Sequence, residues 1–504
     1  MGKIITTLID HFGSMTPKLR DNSYNFAFSK HYNIFRNNRL TPNPTWTTIT
    51  DGGEKITRFT YAKAPSSAYA VWGLGDDGTG DPQIFKLSLG DTAWTSVGAF
   101  TPNAARNSDT FIEYKDYLFG FQAGYMWQCG LLTSGAPTLD GDFATFASWV
   151  NVGQPIHHKA DDYLYIFVDN KVYKMTDGTT IVGGGATPTA QLTLSSNMKI
   201  VGGASYGNYL AIVCSPKNLG ATNSVMYLWD RDSSLTTLTS KIDLGMGEIK
   251  HVSESEDGGI WITQQARRTV GITSKNNYFS IKYFNGSLQS FDFPVGMSSD
   301  YFSSVSLVGN SCEERGVFYF PAVCTAYDSL GALETSHIIF SARRNGGVIE
   351  LVGDQEVTGV TQNINGIFSV GGIWFVSYDT AAKTLFSSLS TTASSCTYES
   401  KIFNNDDASL TKKLISFTIT FVPSYDTSTD DIVVSYRTDN QRAWTELLSA
   451  SNNSPTTMRI TRTVNSAGTT LPRYKEIQFK IVSTGTMEIT SFKFKSEFID
   501  NDVT

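Results

Sequence analysis

The chain has 504 residues, 40% hydrophobic and 12% aromatic but only 17% charged, enough for two or three domains or for one large all-β array with an added module. Its net charge of −7 is unevenly spread: residues 1–46 carry six basic residues against two acidic, 47–400 carry 22 against 33, and 401–504 carry 12 of each. The acidic middle argues against general or sequence-specific nucleic-acid binding, and no run of 18 apolar residues offers a membrane span.

The first residues do not form a secretory signal, because Thr6, Thr7 and Asp10 interrupt the apolar start. Five cysteines at 129, 214, 312, 324 and 396 are odd in number, widely spaced and without CxxC, so small buried hydrophobes are expected in a reducing cytoplasm. Cys312 and Cys324 flank one hairpin strand, and their pairing is left open. Residues 1–50 stand apart from the rest. Tyr24, Phe26, Phe28, Tyr32 and Phe35 are too apolar for a free tail, while Pro17, Pro42 and Pro44 oppose a long helix. This predicts an extended arm docked on its own domain or on a neighbouring subunit. Its basic charge would meet an acidic partner or stay solvated.

From about residue 55 an aromatic hairpin recurs. Its first strands start at 68, 117, 163, 209, 260, 317 and 373, each answered by a second apolar strand. The stretch 162–178 is the clearest copy. Tyr163–Val168 is apolar on both faces, Asp169-Asn170 supplies the positive-φ pair that a two-residue hairpin needs, and Lys171 onward alternates. A single hairpin cannot bury two faces, so similar sheets must stack on both sides. A spacing of roughly 40–50 residues with four-stranded units predicts a β-propeller of about seven blades over 51–400. A pair of β-sandwiches is the competing arrangement. After Lys401 the pattern changes to strands at 414–422, 432–438, 444–448, 458–463, 476–482 and 487–498, predicting a C-terminal β-sandwich over 401–504.

Catalytic, cofactor and metal signals are absent from the pattern of residues. The six histidines form no HExxH, and there is no G-x-S-x-G or GK[ST]. His157 and His251 fall on expected inner strands, where they would line a central channel or share a metal. Glycoside hydrolysis would require two paired carboxylates. Acids such as Glu113, Glu254, Glu256 and Asp257 are abundant, but they stand mostly in turn contexts. Ser255-Glu256-Asp257-Gly258-Gly259-Ile260-Trp261 is similar to a sialidase Asp-box, one residue short. Trp444, just past a turn, either packs in the sandwich core or offers a platform to a host surface glycan.

Three segments carry a family resemblance: His11-Phe12-Gly13-Ser14 with 28–35 and Leu40-Thr41-Pro42; 399–403 with 412–415; and 474–481 with Thr484-Gly485 and Glu488-Ile489. Together they resemble the β-propeller tail proteins of tailed bacteriophages, although His11-Phe12-Gly13-Ser14 lacks the double glycine of those openings. The resemblance implies a non-enzymatic virion component made in the host bacterial cytoplasm: a tail nozzle, hub or adaptor. It would form a homo-oligomeric ring with other phage tail proteins as partners and without cofactors. Tyr32, Phe35, Arg36 and Arg39 are the expected arm contacts. The alternative is a glycan- or receptor-binding module, with a glycoside hydrolase behind it.

Overall fold

A computed structural model describes residues 3–13, 15, 26–35, 39–43, 47–48, 55–63, 69–76, 82–88, 91, 93–99, 110–122, 125–130, 139–146, 151–182, 188–218, 222–232, 238, 240–270, 273–294, 302–327, 333–357, 364–370, 372–378, 381–386, 395–404, 408–422, 431–439, 441, 443–451, 459–464, 468, 470–485 and 487–499. Among these residues every regular element is a β-strand, as the surplus of aromatic and β-branched residues requires.

The hairpin at 162–178 is the middle of an antiparallel meander. Its strands run Val152–His158, Tyr163–Val168, Lys171–Asp177 and Thr180–Ile181. The same four-strand order begins at Lys55–Lys63, Thr110–Tyr114, Met198–Tyr206, Glu248–Glu254 and Phe302–Leu307. A further meander begins at Ile364–Val370 and takes its outer strand from the start of the chain, where Thr47 and Thr48 pair with Thr384 and Lys383.

Burial explains why these sheets stack. Leu164 and Ile166 share an apolar cluster with Phe119, Phe121 and Met126 of the preceding meander. Tyr165 and Phe167 point the other way, into a cluster with Leu210, Ile212 and Trp229 of the following one. Each fully buried side chain of this size contributes about 1.5–3 kcal/mol, and neither face could be left wet. Further seams follow around the structure, until Val71, Phe85 and Trp94 of the first meander pack on Phe375 of the last. A closed circle of four-stranded meanders is a β-propeller.

Local chemistry sets the turns. Lys115 and Asp116 have φ of 48° and 66°, and Arg315 and Gly316 have 52° and 75°, the left-handed pairs of two-residue hairpins. At Asp169-Asn170 only Asp169 is left-handed, at 53°, so the pair expected there does not form. Longer-range ties shape that turn instead. The Asp169 carboxylate accepts from the Asn151 N–H at 3.1 Å, and the Asn170 amide donates to the Leu194 carbonyl. Close approach explains Gly120. A Cβ there would lie 1.8 Å from the Trp127 ring, which packs flat across it.

The chain ends build two more sheets. One runs Ile4–Ile9, Glu488–Phe498, Lys412–Val422, Arg459–Arg462, with Arg473–Tyr474 also on Lys412–Val422. The other runs Phe26–Lys30, Cys396–Ser400, Ile477–Ser483, Asp431–Thr438, Thr445–Ser451. Phe417, Phe479, Phe492 and Phe494 fill the space between them. The expected boundaries at 50 and 401 therefore do not follow the strand pairing. Ile4–Ile9 and Phe26–Lys30 are edge strands of the C-terminal sheets, and Cys396–Ser400 already belongs to them.

Candidate functional site

Two surfaces hold the polar chemistry of the propeller: the end carrying the first turn of each meander, and the innermost strands. At that end, consecutive turns tie to one another. Lys115 meets Asp162 at 3.0 Å, and His157 meets the other oxygen of Asp162 at 2.7 Å. His157 first, and Lys115 second, hold the Asp162 carboxyl below its ordinary range. Lys159 pairs with Glu254 at 2.9 Å, and Glu254 accepts from the Ser205 N–H of the intervening meander. Glu256 accepts from the Arg315 N–H at 2.8 Å, while Glu313 accepts from the Glu256 N–H at 3.0 Å and from the Trp261 indole. Burial pushes the Glu313 carboxyl up against those bonds.

Asp257 shows why the Asp-box-like stretch is a turn. Its carboxylate accepts from the Gly259 N–H at 3.0 Å and from the Tyr283 hydroxyl, and it pairs with Arg344 at 3.0 Å. These carboxylates are engaged as ties between turns and between meanders.

A more buried tie lies just below. Asp161 pairs with Arg231 at 2.8 Å, accepts from the Tyr165 hydroxyl at 2.6 Å and faces His158 Nδ1 at 3.0 Å. His158 Nε2 donates to the Tyr209 carbonyl at 3.0 Å, so the network crosses a seam. Burial opposes the Asp161 charge, but the bonds from Tyr165 and Arg231 prevail and its pKa is lowered. Asp161→Asn keeps the volume and removes the charge. Urea unfolding at pH 7 is expected to show a loss of about 1–3 kcal/mol, the cost of an unsatisfied buried partner. A carboxylate with a lowered folded pKa stabilises above its unfolded pKa and loses that contribution as pH falls through the folded value. The gap between wild type and Asp161→Asn should therefore persist down to about pH 4 and close only below it. Equal urea midpoints at pH 7 would remove the network from the stability argument.

On the innermost strands, His251 Nδ1 accepts from the Ser311 N–H at 3.2 Å and also meets the Ser311 hydroxyl. Its Nε2 is buried without a hydrogen-bond partner among the described residues. Burial first, and the Arg58 guanidinium second, depress its pKa to about 3. Arg58 itself donates to the Asn365 carbonyl at 3.0 Å. The structure does not join His157 and His251, since one is tied to Asp162 and the other to Ser311. Cys312 and Cys324 are both free thiols, and burial raises the pKa of each.

The expected arm contacts fall differently from one another. Tyr32 is fully buried, and its hydroxyl meets the Ser483 hydroxyl at 2.5 Å. It has no surface left for a neighbouring subunit, which corrects its assignment as an interface residue. Phe35 lies 4.5 Å beneath the Arg343 guanidinium of the propeller, and Arg343 donates to the Phe35 carbonyl at 3.0 Å. Arg39 reaches Glu488 at 3.4 Å. Arg36 lies outside the described residues. Nearby, Ser29 donates to the Gly353 carbonyl at 3.1 Å, His31 meets Gln355 at 3.0 Å, and Lys30 pairs with Glu356. The segment thus fastens the C-terminal sheets to the 302–356 meander of its own chain. Trp444 is half-buried outside the core, with Arg437 stacked 4.5 Å from its ring and Lys480 at 5.7 Å. A guanidinium occupies the aromatic surface that a sugar ring would use.

The contacts across seams were hidden in the sequence because they join residues far apart, from 47 positions for Lys115 and Asp162 to 307 for Arg58 and Asn365, with no local motif. The available signal is the Gly, Asp, Asn or Ser that immediately precedes most of the aromatic strands, as at Asp116, Asp162, Asn208, Gly259, Gly316 and Gly372.

No family model matches the chain, and no curated protein matches it. It is similar to solved structures of YCF48 bound to D1 peptide (9% identity, TM-score 0.41, 69% of this chain and 99% of that one). It is also similar to hydrazine synthase of Kuenenia stuttgartiensis (9%, 0.44, 68% and 98%) and to the Dos1 propeller (9%, 0.42, 69% and 96%). The propeller assignment rests on this chain's own strand order and closed seams.

Proposed function

We propose that this chain is a non-enzymatic structural component of a tailed-phage particle, of the nozzle, hub or adaptor kind, working as a ring of copies. In this reading it is a seven-bladed propeller joined to a C-terminal β-sandwich. The observation that carries a mechanical role is the use of the turn-face carboxylates: Asp162, Glu254, Asp257 and Glu313 each hold neighbouring turns together. A propeller tied in this way resists shear, because a blade can move only by breaking both of its seams. The resemblance of 399–403, 412–415 and 474–481 to phage tail propeller proteins supplies the biological setting. With Tyr32 and Phe35 engaged inside the chain, contacts between copies fall to the outer surfaces of the sheets and turns.

Electron microscopy of the purified protein tests this. A ring of a few copies is the expected result, and a monomer at every concentration overturns it. Glycan binding through Trp444 would require Arg437 to move aside, and a glycan panel read with wild type and Trp444→Ala decides that alternative. Release of reducing sugar from a host polysaccharide would establish the hydrolase instead.

A further inference from the structure

The outer face of the sheet built from both chain ends is basic. Strand register places its side chains in rows. Ile4, Glu497, Lys413 and Arg473 form one row; Thr6, Lys495 and Ser416 form the next; Leu8, Lys493 and Thr418 form the third. The opposite face, with Ile9, Phe492, Phe494 and Phe417, is the core. Arg459 extends the outer face beside Thr420. Five cations therefore share this face with Glu497, and none of the five makes an ion pair among the described residues. At the edge of the sheet, Ile4 is 60% and Leu8 48% exposed, on a strand that pairs with one described strand only. An apolar edge beside unneutralised positive charge is a feature of contact surfaces rather than of free ones.

The same chain presents the opposite charge elsewhere. The turn end of the propeller exposes Asp116, Asp162, Asp177, Asp230 and Glu256, and residues 47–400 hold an excess of 11 acidic residues. Among the described residues the exposed cations there, Lys115, Lys159 and Arg315, are already paired with Asp162, Glu254 and Glu314. We propose that the basic face of one copy, around Lys413, Lys493 and Lys495, docks on the acidic turn end of the next copy, with Ile4 and Leu8 as its apolar anchor. This rests on the ring reading above and names the surfaces that build it. Two different patches meet, so the contact is heterologous, and repeating it closes into a ring or runs on as a filament. Opposite charge sets the register and rejects the wrong face, since like charges opposed across an interface are penalised by several kcal/mol in general.

The test uses the full chain in analytical ultracentrifugation at 0.05 and 1 M NaCl. The Debye length falls to about 3 Å at 1 M salt, so the wild-type assembly should dissociate there. Lys413→Glu with Lys493→Glu and Lys495→Glu forms one variant. Asp116→Lys with Asp177→Lys and Asp230→Lys forms the other. Each alone should weaken self-association about 100-fold or more, with an unchanged melting profile as the check on folding. An equimolar mixture of the two should assemble again, because each reversed face then meets a reversed partner. Assembly that ignores both reversals overturns this contact and leaves the ring reading standing. Loss in both variants without rescue on mixing also overturns it, since the two faces then meet something other than each other. A wild type that is monomeric at all concentrations overturns the ring itself.

Discussion

A chain lacking residues 1–43 is expected to lose its C-terminal sheets and to be recovered insoluble or with molten C-terminal residues. Ile9, Phe12, Met15, Phe26, Phe28, Tyr32, Ile34 and Leu40 are all buried, in the same cluster as Phe417, Phe479 and Phe492. Phe12 packs edge-on to Tyr398 at 5.3 Å, and Phe28 packs edge-on to Phe302 of the propeller at 5.9 Å. Replacing one buried aromatic by alanine costs about 3–5 kcal/mol. Removing four at once exceeds 10 kcal/mol, comparable with the whole stability of an ordinary domain, about 5–15 kcal/mol. The deletion also strips the edges of Glu488–Phe498 and Cys396–Ser400, exposing unpaired backbone. Thr47 and Thr48 remain, so the propeller keeps its latch. Limited proteolysis with mass spectrometry reads the two parts separately: cleavage should concentrate after residue 395 while 55–386 stays protected. Phe26→Ala is the milder version, with a loss of about 3–5 kcal/mol in urea. A truncated chain with wild-type proteolysis and an unchanged urea midpoint would show that the segment is only docked on a finished structure.

The contrast between this segment and the propeller shows what a sequence exposes. Tyr163–Val168 announces a strand buried on two faces because its paired residues lie no more than 16 positions away and its copies recur along the chain. The arm's aromatics announce burial equally well, but Phe26 and Phe28 pair with Ser400 and Glu399, more than 370 residues away, and nothing local names that partner. Tyr32 was therefore legible as apolar and illegible as internal. The turn-face ties have the same character. Asp257 reads as a turn residue from its glycine neighbours, yet its bonds to Tyr283 and Arg344 exist only once three strands are in place. The basic outer face is visible only through register, because Lys413 and Arg473 become neighbours across paired strands rather than along one.

Acid should weaken this protein well above the carboxylate range, and His251 is the reason. Its Nδ1 accepts the Ser311 N–H, so in the neutral ring the proton sits on Nε2. Protonating Nδ1 would break that bond and place a charge in a buried seam facing Arg58. The folded pKa of about 3 lies far below the ordinary 6.5. The unfolded chain therefore binds one more proton than the folded chain between those values. Stability is fully present above about pH 6.5 and is lost as pH falls through the window, ending near pH 3. Each pH unit in the window is worth about 1.4 kcal/mol, so the loss approaches about 2 kcal/mol at pH 5. Other titrating groups add their own slopes, and a variant isolates this one. His251→Asn keeps an acceptor near the Ser311 N–H and cannot gain the charge. Its stability at pH 7 is expected to be lower, because the smaller side chain leaves a gap, but the wild-type advantage should shrink steadily from pH 6.5 to pH 4.5. Urea midpoints that fall in parallel for the two proteins over that range would acquit His251. The loss falls where two meanders meet at Ser311, so the weakening at acid pH would open that seam first.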